Sequence, residues 1–259
     1  MTKRNPVKIF YSVVRALFLR EVQVRFGAKK LGYFWAIAEP MVVIVVFVAI
    51  KQLIHPRSFP GISYPVFLAS GMIAYFMFRN IVKRTLDAFD ANKGLFVYKQ
   101  VKPFDAFVAR FVLEVALTYL IAVIFLFIGW YIGYDVVPSS ILGVVVGYLW
   151  IAVFGFSIGV FSAVLGYFFD NFKKIIHMLF TPLFFLSGLF YTLDALPALA
   201  REFLLYNPVI HFIELIHASY FDSLSANYVD FRYMTFWTLI PLFLGLWFYM
   251  KTERKIIMS

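Results

Sequence analysis

Few ionisable side chains stand where apolar sequence surrounds them, and those few bound the available chemistry. Glu39, Arg79, Arg110 and Glu114 lie within or at the edges of long apolar stretches, with Lys83 and Arg84 just beyond. A charge in such surroundings is costly and is held by a partner or by water. Arg110 and Glu114 are four apart, a spacing that predicts an ion pair on one helix face. Glu39 precedes Pro40, which removes a helical hydrogen bond and kinks or starts the helix there. The carboxylate either caps that turn or meets a partner. Arg79, Lys83 and Arg84 form a basic group at the end of the second stretch.

Other chemistries find little support. No G-x-x-x-x-G-K-[ST] run is present, and no Gly is followed by Lys, so ATP is not bound here through a P-loop. No H-E-x-x-H or Cys/His cluster exists, and no cysteine at all, which excludes disulfides. His211, Glu214 and His217 fall close together, but an amphipathic segment with a wet face explains them better than a metal. No catalytic, cofactor-binding or metal-binding residue is expected. A lipid-linked transferase would need clustered Asp, Glu or His at one membrane face, and an ion channel a filter sequence; neither is visible. Ion-coupled carriers place more carboxylates or His deep in their spans.

Aromatic residues make up 21% of the chain. Tyr75, Phe76, Trp150, Phe154, Phe190 and Tyr191 are among those at depth. Rings stack on the apolar C–H faces of sugars, so such residues could line a path along which an oligosaccharide slides; packing or lipid contact is the alternative for each.

These residues are positioned by six apolar stretches, Phe34–Ile54, Pro65–Val82, Phe107–Gly133, Ile141–Phe169, Ile175–Tyr191 and Tyr233–Met250. A bilayer-crossing helix needs about 20 such residues. With 63% hydrophobic and 15% charged residues, the chain is read as an integral membrane protein. Barrel strands would alternate; Val42–Ile50 and Val115–Phe127 do not. The fold class expected is all-α, with six transmembrane helices forming a single domain over residues 1–259. Lys and Arg concentrate in the N-terminal tail, the segment around the second gap from Arg79 to Arg110, the fourth gap and the C-tail, which hold 20 of the 24 basic residues. That asymmetry places both termini in the cytoplasm. The net charge of +10 also suits anionic lipid, and nucleic acid is not required to explain it. The first 30 residues carry eight positive charges and no clean apolar core, so no cleavable signal peptide is expected.

Between the spans, Ile9, Phe10, Val13, Val14, Leu17 and Phe18 share a face opposite Lys8, Ser12 and Arg15, which predicts an interfacial helix within residues 1–30. Gly27 and Gly32 bracket a turn into the first span. Residues 83–103 predict a short helix over Thr85–Asn92 and a turn at Asn92–Lys93–Gly94, either a docking knob or a solvated linker. Gly143, Gly147, Gly155, Gly159 and Ala163 fall on one i, i+4 row, interrupted by Ile151. Such a strip lets another helix approach closely, within or between subunits. Residues 192–232 hold two segments too short to cross, broken at Asn207–Pro208. They predict an outer re-entrant hairpin.

The run Leu31-Gly32-Tyr33-Phe34-Trp35-Ala36-Ile37-Ala38-Glu39-Pro40 resembles the L-G-x-x-W-x-x-x-x-P opening of type-2 ABC exporter permeases. Ser187-Gly188-Leu189-Phe190-Tyr191, Leu196-Pro197 and Asn207-Pro208 resemble that family's fifth span and outer hairpin. Within it the chain is most similar to capsular-polysaccharide export (KpsM-type) permeases. The resemblance implies a homodimer of permeases with two cytoplasmic ATP-binding subunits that hold the ATP and Mg, no cofactor or catalysis on this chain, and periplasmic and outer-membrane capsule export partners. The implied role is export of lipid-linked capsular polysaccharide across the bacterial inner membrane; O-antigen, teichoic acid, or a small drug or lipid are the alternative substrates. The implied coupling residues are Asp87, Asp90, Asn92, Lys93 and Gly94. The expected path comprises Tyr75, Phe76, Arg79, Lys83, Arg84, Trp150, Phe154, Phe190 and Tyr191. Structural roles fall to Trp35, Glu39, Pro40, Asn207, Pro208 and the glycine row.

Overall fold

The computed structural model describes residues 6–26, 32–54, 62–98 and 100–258, and among them every regular element is helical. The chain runs through α1 (Pro6–Phe26), α2 (Gly32–Ile54), α3 (Tyr64–Leu86), α4 (Ala88–Asn92), α5 (Pro103–Ile132), α6 (Ile141–Phe168), α7 (Asp170–Leu186), α8 (Ala198–Leu204), α9 (Pro208–Tyr220) and α10 (Phe231–Met258). The side chains of Trp35 and Glu39, and the turn expected between Gly27 and Gly32, lie outside the described residues.

Among the described residues, four helices are long and apolar enough to cross a membrane: α3, α5, α6 and α10. The described apolar part of α2 covers only Pro40–Lys51. Helix α7 has 17 residues, with Lys173, Lys174 and His177 in its first half. Large apolar side chains stand exposed along the outer faces of these helices, among them Val123, Phe127 and Trp130 on α5 and Phe236, Leu239 and Phe243 on α10. Water would penalise so much contiguous apolar surface, whereas lipid does not. The protein is an all-helical integral membrane protein.

Helix α3 is the hub. Nearly all of it is buried, and α2, α5, α6, α7 and α9 pack around it. The glycine row of α6 makes the closest of these contacts possible. Added Cβ atoms would meet Ile216 of α9 at 2.7 Å from Gly147, the Phe78 carbonyl of α3 at 3.2 Å from Gly155, and Thr85 of α3 at 2.7 Å from Gly159. The row therefore serves packing within the chain. On another side of α6, Phe161 backbone lies against Gly245 of α10, and the Ser157 hydroxyl donates to the Thr238 carbonyl at 2.6 Å.

Helix α9 packs into the bundle. Val209, Ile210, Phe212, Ile213 and Ile216 are buried against α3, α6 and α10. Asn207–Pro208 begins it: the Asn207 Oδ1 accepts from the Val209 amide at 3.0 Å, and Pro208 fills a first-turn position whose missing N–H costs nothing. At the opposite end of the bundle, α3 continues to Leu86 and turns at Asp87, so the helix expected over Thr85–Asn92 is only the five residues of α4.

Candidate functional site

A cavity of about 380 Å³ opens at the α4 end of the bundle. Helix α3 lines it with Ile73, Phe76, Arg79, Asn80, Lys83 and Arg84, spaced three and four apart on one face. Helix α5 adds Glu114, Thr118 and Ile121 at the same spacing, with Arg25 of α1, Pro40 of α2, Asp87 and His177 of α7 completing the wall. Four cationic side chains face two carboxylates. A partly desolvated pocket with excess positive charge attracts anions and concentrates them.

The cations are fixed in distinct ways. The Arg79 guanidinium lies over the Phe76 ring, 4.7 Å from its centroid, and the Lys83 ammonium over Phe180 at 5.4 Å. Glu114 pairs with Arg25 and stands 3.6 Å from Arg84 Nε. The expected Arg110–Glu114 pair is not formed. Arg110 Nε instead donates to Glu21 Oε1 of α1 at 2.8 Å, and its Nη1 to the Arg84 carbonyl at 2.7 Å. Arg110 and Glu114 each find their partner across the helix interface, because α1 lies along α5 and offers Glu21 and Arg25 to it.

The residues expected to form a path fall into two groups. Phe76, Arg79, Lys83 and Arg84 line the cavity. From Phe76 the rings continue along α7: Phe76 stacks on Phe184 at 6.0 Å, Phe184 meets Phe190 at 5.3 Å, and Phe190 meets Phe47 of α2 at 4.8 Å. Tyr191 donates to the Phe185 carbonyl at 3.3 Å. Tyr75 is fully buried beside them, its hydroxyl on the Phe180 carbonyl at 2.5 Å. Trp150 and Phe154 sit on the other side of α3, toward α9 and α10. Phe154 is stacked between Phe78 and Phe212, at 5.2 and 4.8 Å, and Trp150 lies against Phe212 and Phe231.

Of the residues expected to couple to a partner, Lys93 and Gly94 are exposed, and an added Cβ at Gly94 meets nothing within 4 Å. Val97 and Tyr98 just beyond them are also exposed. Asp90 pairs with Lys173 of α7, Asp87 borders the cavity, and Asn92 is buried against Arg20. Sequence reasoning missed Arg25, Asn80 and His177. Lys173, His177, Phe180 and Phe184 share one α7 face at helical spacing, the one signal that could have found His177.

At the α9 end, His211, Glu214 and His217 do not converge. His217 Nε2 lies 3.1 Å from the Phe67 carbonyl, and His211 Nε2 2.9 Å from the Leu205 carbonyl, so each of these nitrogens carries the proton. No group of three metal-ligating side chains occurs among the described residues.

Residues 12–221 match the family model described as ABC-2 type transporter. The chain is 34% identical to the polysialic acid transport protein KpsM of Escherichia coli over 99% of both chains. It is 28% identical to the capsule polysaccharide export inner-membrane protein BexB of Haemophilus influenzae, over 95% of this chain and 92% of that one. Identity to the O-antigen export system permease protein RfbA of Klebsiella pneumoniae is 24% over 91% and 90% of the two chains. With its helical membrane architecture and a family match across most of its length, the chain belongs to the ABC-2 type transporter family.

Proposed function

We propose that this chain is the membrane-spanning permease subunit of an ATP-driven exporter that moves lipid-linked capsular polysaccharide from cytoplasm to periplasm. The observation that carries the reading is the basic cavity at the α4 end, in a chain similar from end to end to proteins named for polysialic acid transport and capsule export. Arg79, Lys83 and Arg84 would receive the anionic end of the substrate, and Phe76, Phe190, Tyr191 and neighbouring rings would let sugar faces slide. The weaker similarity to an O-antigen permease keeps that polymer as the second reading.

The sequence has no P-loop, so ATP and Mg would be held by two separate cytoplasmic subunits. They would dock on Lys93, Gly94, Val97 and Tyr98, where the chain is exposed beside α4. Two copies of the permease would enclose the path, with α2 and α7 completing six spans, both termini cytoplasmic and α8–α9 forming the outer re-entrant hairpin. Periplasmic and outer-membrane proteins would carry the polymer onward. Deleting the gene should leave finished polymer trapped inside the cell, and restoring it should return polymer to the surface. Normal surface polymer in the deletion strain ends the proposal, and a changed drug sensitivity alone would redirect it to a small substrate.

A further inference from the structure

Helix α4 is too short to hold its own shape in water. Two kinds of contact hold it. Phe89 is buried with its ring centroid 5.0 Å from that of Phe107 on α5. On its other side Asn92, a polar residue only 1% exposed, is bridged to α1. Its Oδ1 accepts from Arg20 Nη1 at 2.5 Å, its Nδ2 donates to the Ala88 carbonyl at 2.9 Å, and Arg20 Nη2 reaches the Ala91 carbonyl at 3.3 Å. One planar guanidinium therefore grips both the side chain and the main chain at the end of α4, a geometry that lysine's single ammonium does not reproduce.

The next residues of α1 carry the connection onward. Glu21 holds Arg110 of α5, Arg110 holds the Arg84 carbonyl of α3, and Arg25 holds Glu114 of α5. Arg25, Arg84 and Glu114 are walls of the basic cavity. Helix α1 is thus tied to α4 through Arg20 and, one to five residues further along, to the cavity wall through Glu21 and Arg25, so the connection runs through the helix itself. The second tie of α4, Asp90 to Lys173 of α7, is more open to water: the Asp90 side chain is 58% exposed, so solvent and salt weaken it.

We propose that Arg20 and Asn92 form the joint through which displacement of the α4 segment moves α1 and, through it, the cavity wall, making both positioning residues for transport. This rests on the reading of α4 and the residues after it as the docking place of an ATP-binding subunit. The hydrophobic anchorage through Phe89 remains when Arg20 is replaced, so the segment keeps its seat and loses its connection.

The chain has no cysteine, so Gly94→Cys supplies a unique thiol at an open position. In vesicles holding the permease with its ATP-binding subunit, three quantities are read: crosslinking from that thiol to the subunit, ATP hydrolysis, and polymer moved per ATP. Arg20→Ala and Asn92→Ala should crosslink and hydrolyse as the parent does, yet move about tenfold less polymer per ATP, with the double variant no worse than either single. Asn92→Asp, whose carboxylate accepts the same N–H groups, should recover export. Lys173→Ala should change little at physiological salt. Arg20→Lys is the milder variant, and it should accumulate normally and still lose export per ATP. Parent-like export in Arg20→Lys and Arg20→Ala, or losses that multiply in the double variant, overturn the joint. Absence of the crosslink in the parent overturns the docking reading itself, a separate result.

Discussion

His217 lays its imidazole on the Phe67 ring, 3.9 Å between centroids, while its Nε2 reaches the Phe67 carbonyl at 3.1 Å. That single side chain seats α9 on α3 at the one point where Gly71 leaves room; a Cβ there would stand 2.9 Å from Nε2. Burial pushes the imidazole pKa down to about 3, against the smaller opposing pull of the Phe67 carbonyl. Three residues earlier, burial and then the charge of Asp194 push Glu214 up to about 7.

These two shifts have opposite consequences for stability. Below its ordinary 6.5, His217 binds a proton in the unfolded chain that the folded chain refuses until about 3, so stability falls as pH drops through that window. Above its ordinary 4.5, Glu214 ionises in the unfolded chain but not in the folded one until about 7, so stability falls as pH rises. Between 4.5 and 6.5 the slopes oppose each other. Glu214→Gln should therefore become steadily less stable than wild type on acidification across that range, by about 1.4 kcal/mol per pH unit at most. His217→Gln should show the reverse slope. Thermal midpoints in detergent at several pH values decide it; differences from wild type that do not vary with pH reject the assignment.

Gly159 and Thr85 predict a reciprocal exchange. Gly159→Val should force α6 from α3 and cost about 1–3 kcal/mol through overpacking. Gly159→Ala with Thr85→Gly moves the small residue across the contact and should regain most of the stability lost by Gly159→Ala alone. A double variant as unstable as the single would mean that the 2.7 Å approach does not limit the packing.

Arg110 and Glu21 form a pair in which both residues are nearly fully buried. Arg110→Ala strands the carboxylate and should destabilise the chain by about 3–5 kcal/mol, whereas Arg110→Met with Glu21→Leu should restore much of that. Unfolding midpoints of the two variants would separate these outcomes, and equal midpoints would remove the pair from the framework.

Lys83→Glu should lower export of an anionic polymer by at least about tenfold, since it reverses charge in a confined pocket. Lys251→Glu, outside that pocket, should leave export within twofold of wild type, the usual reach of a remote solvated charge. Polymer appearing outside reconstituted vesicles is the measurement, and equal loss from both substitutions would point to bulk charge instead of the cavity.

How much was legible in sequence follows from what is local. The α6 glycine row could be read from its spacing, since i, i+4 positions share a face whatever surrounds them, but its partners Ile216, Phe78 and Thr85 could not. Asn207–Pro208 announced the start of α9 because capping is a three-residue matter. Arg110 misled for the converse reason: Glu114 is its neighbour in sequence, and its true partner is 89 residues away. Phe154 and Trp150 stand out in sequence by type and depth, which say nothing about which side of α3 they occupy. The segment at 209–220 reads as half of a re-entrant hairpin because it is apolar and too short to cross; only packing reveals that α3, α6 and α10 enclose it.

A single residue, Phe169, separates the last residue of α6 from the first of α7, and its backbone is extended, with φ −130° and ψ 95°. So short an elbow has no slack to lengthen. Relative to α6, the seventh helix can swing but not slide, with the smallest arc at Lys173 and a widening one toward Leu186. A swing that parts the Phe184 ring from Phe190 is thereby tied to a much smaller displacement of His177.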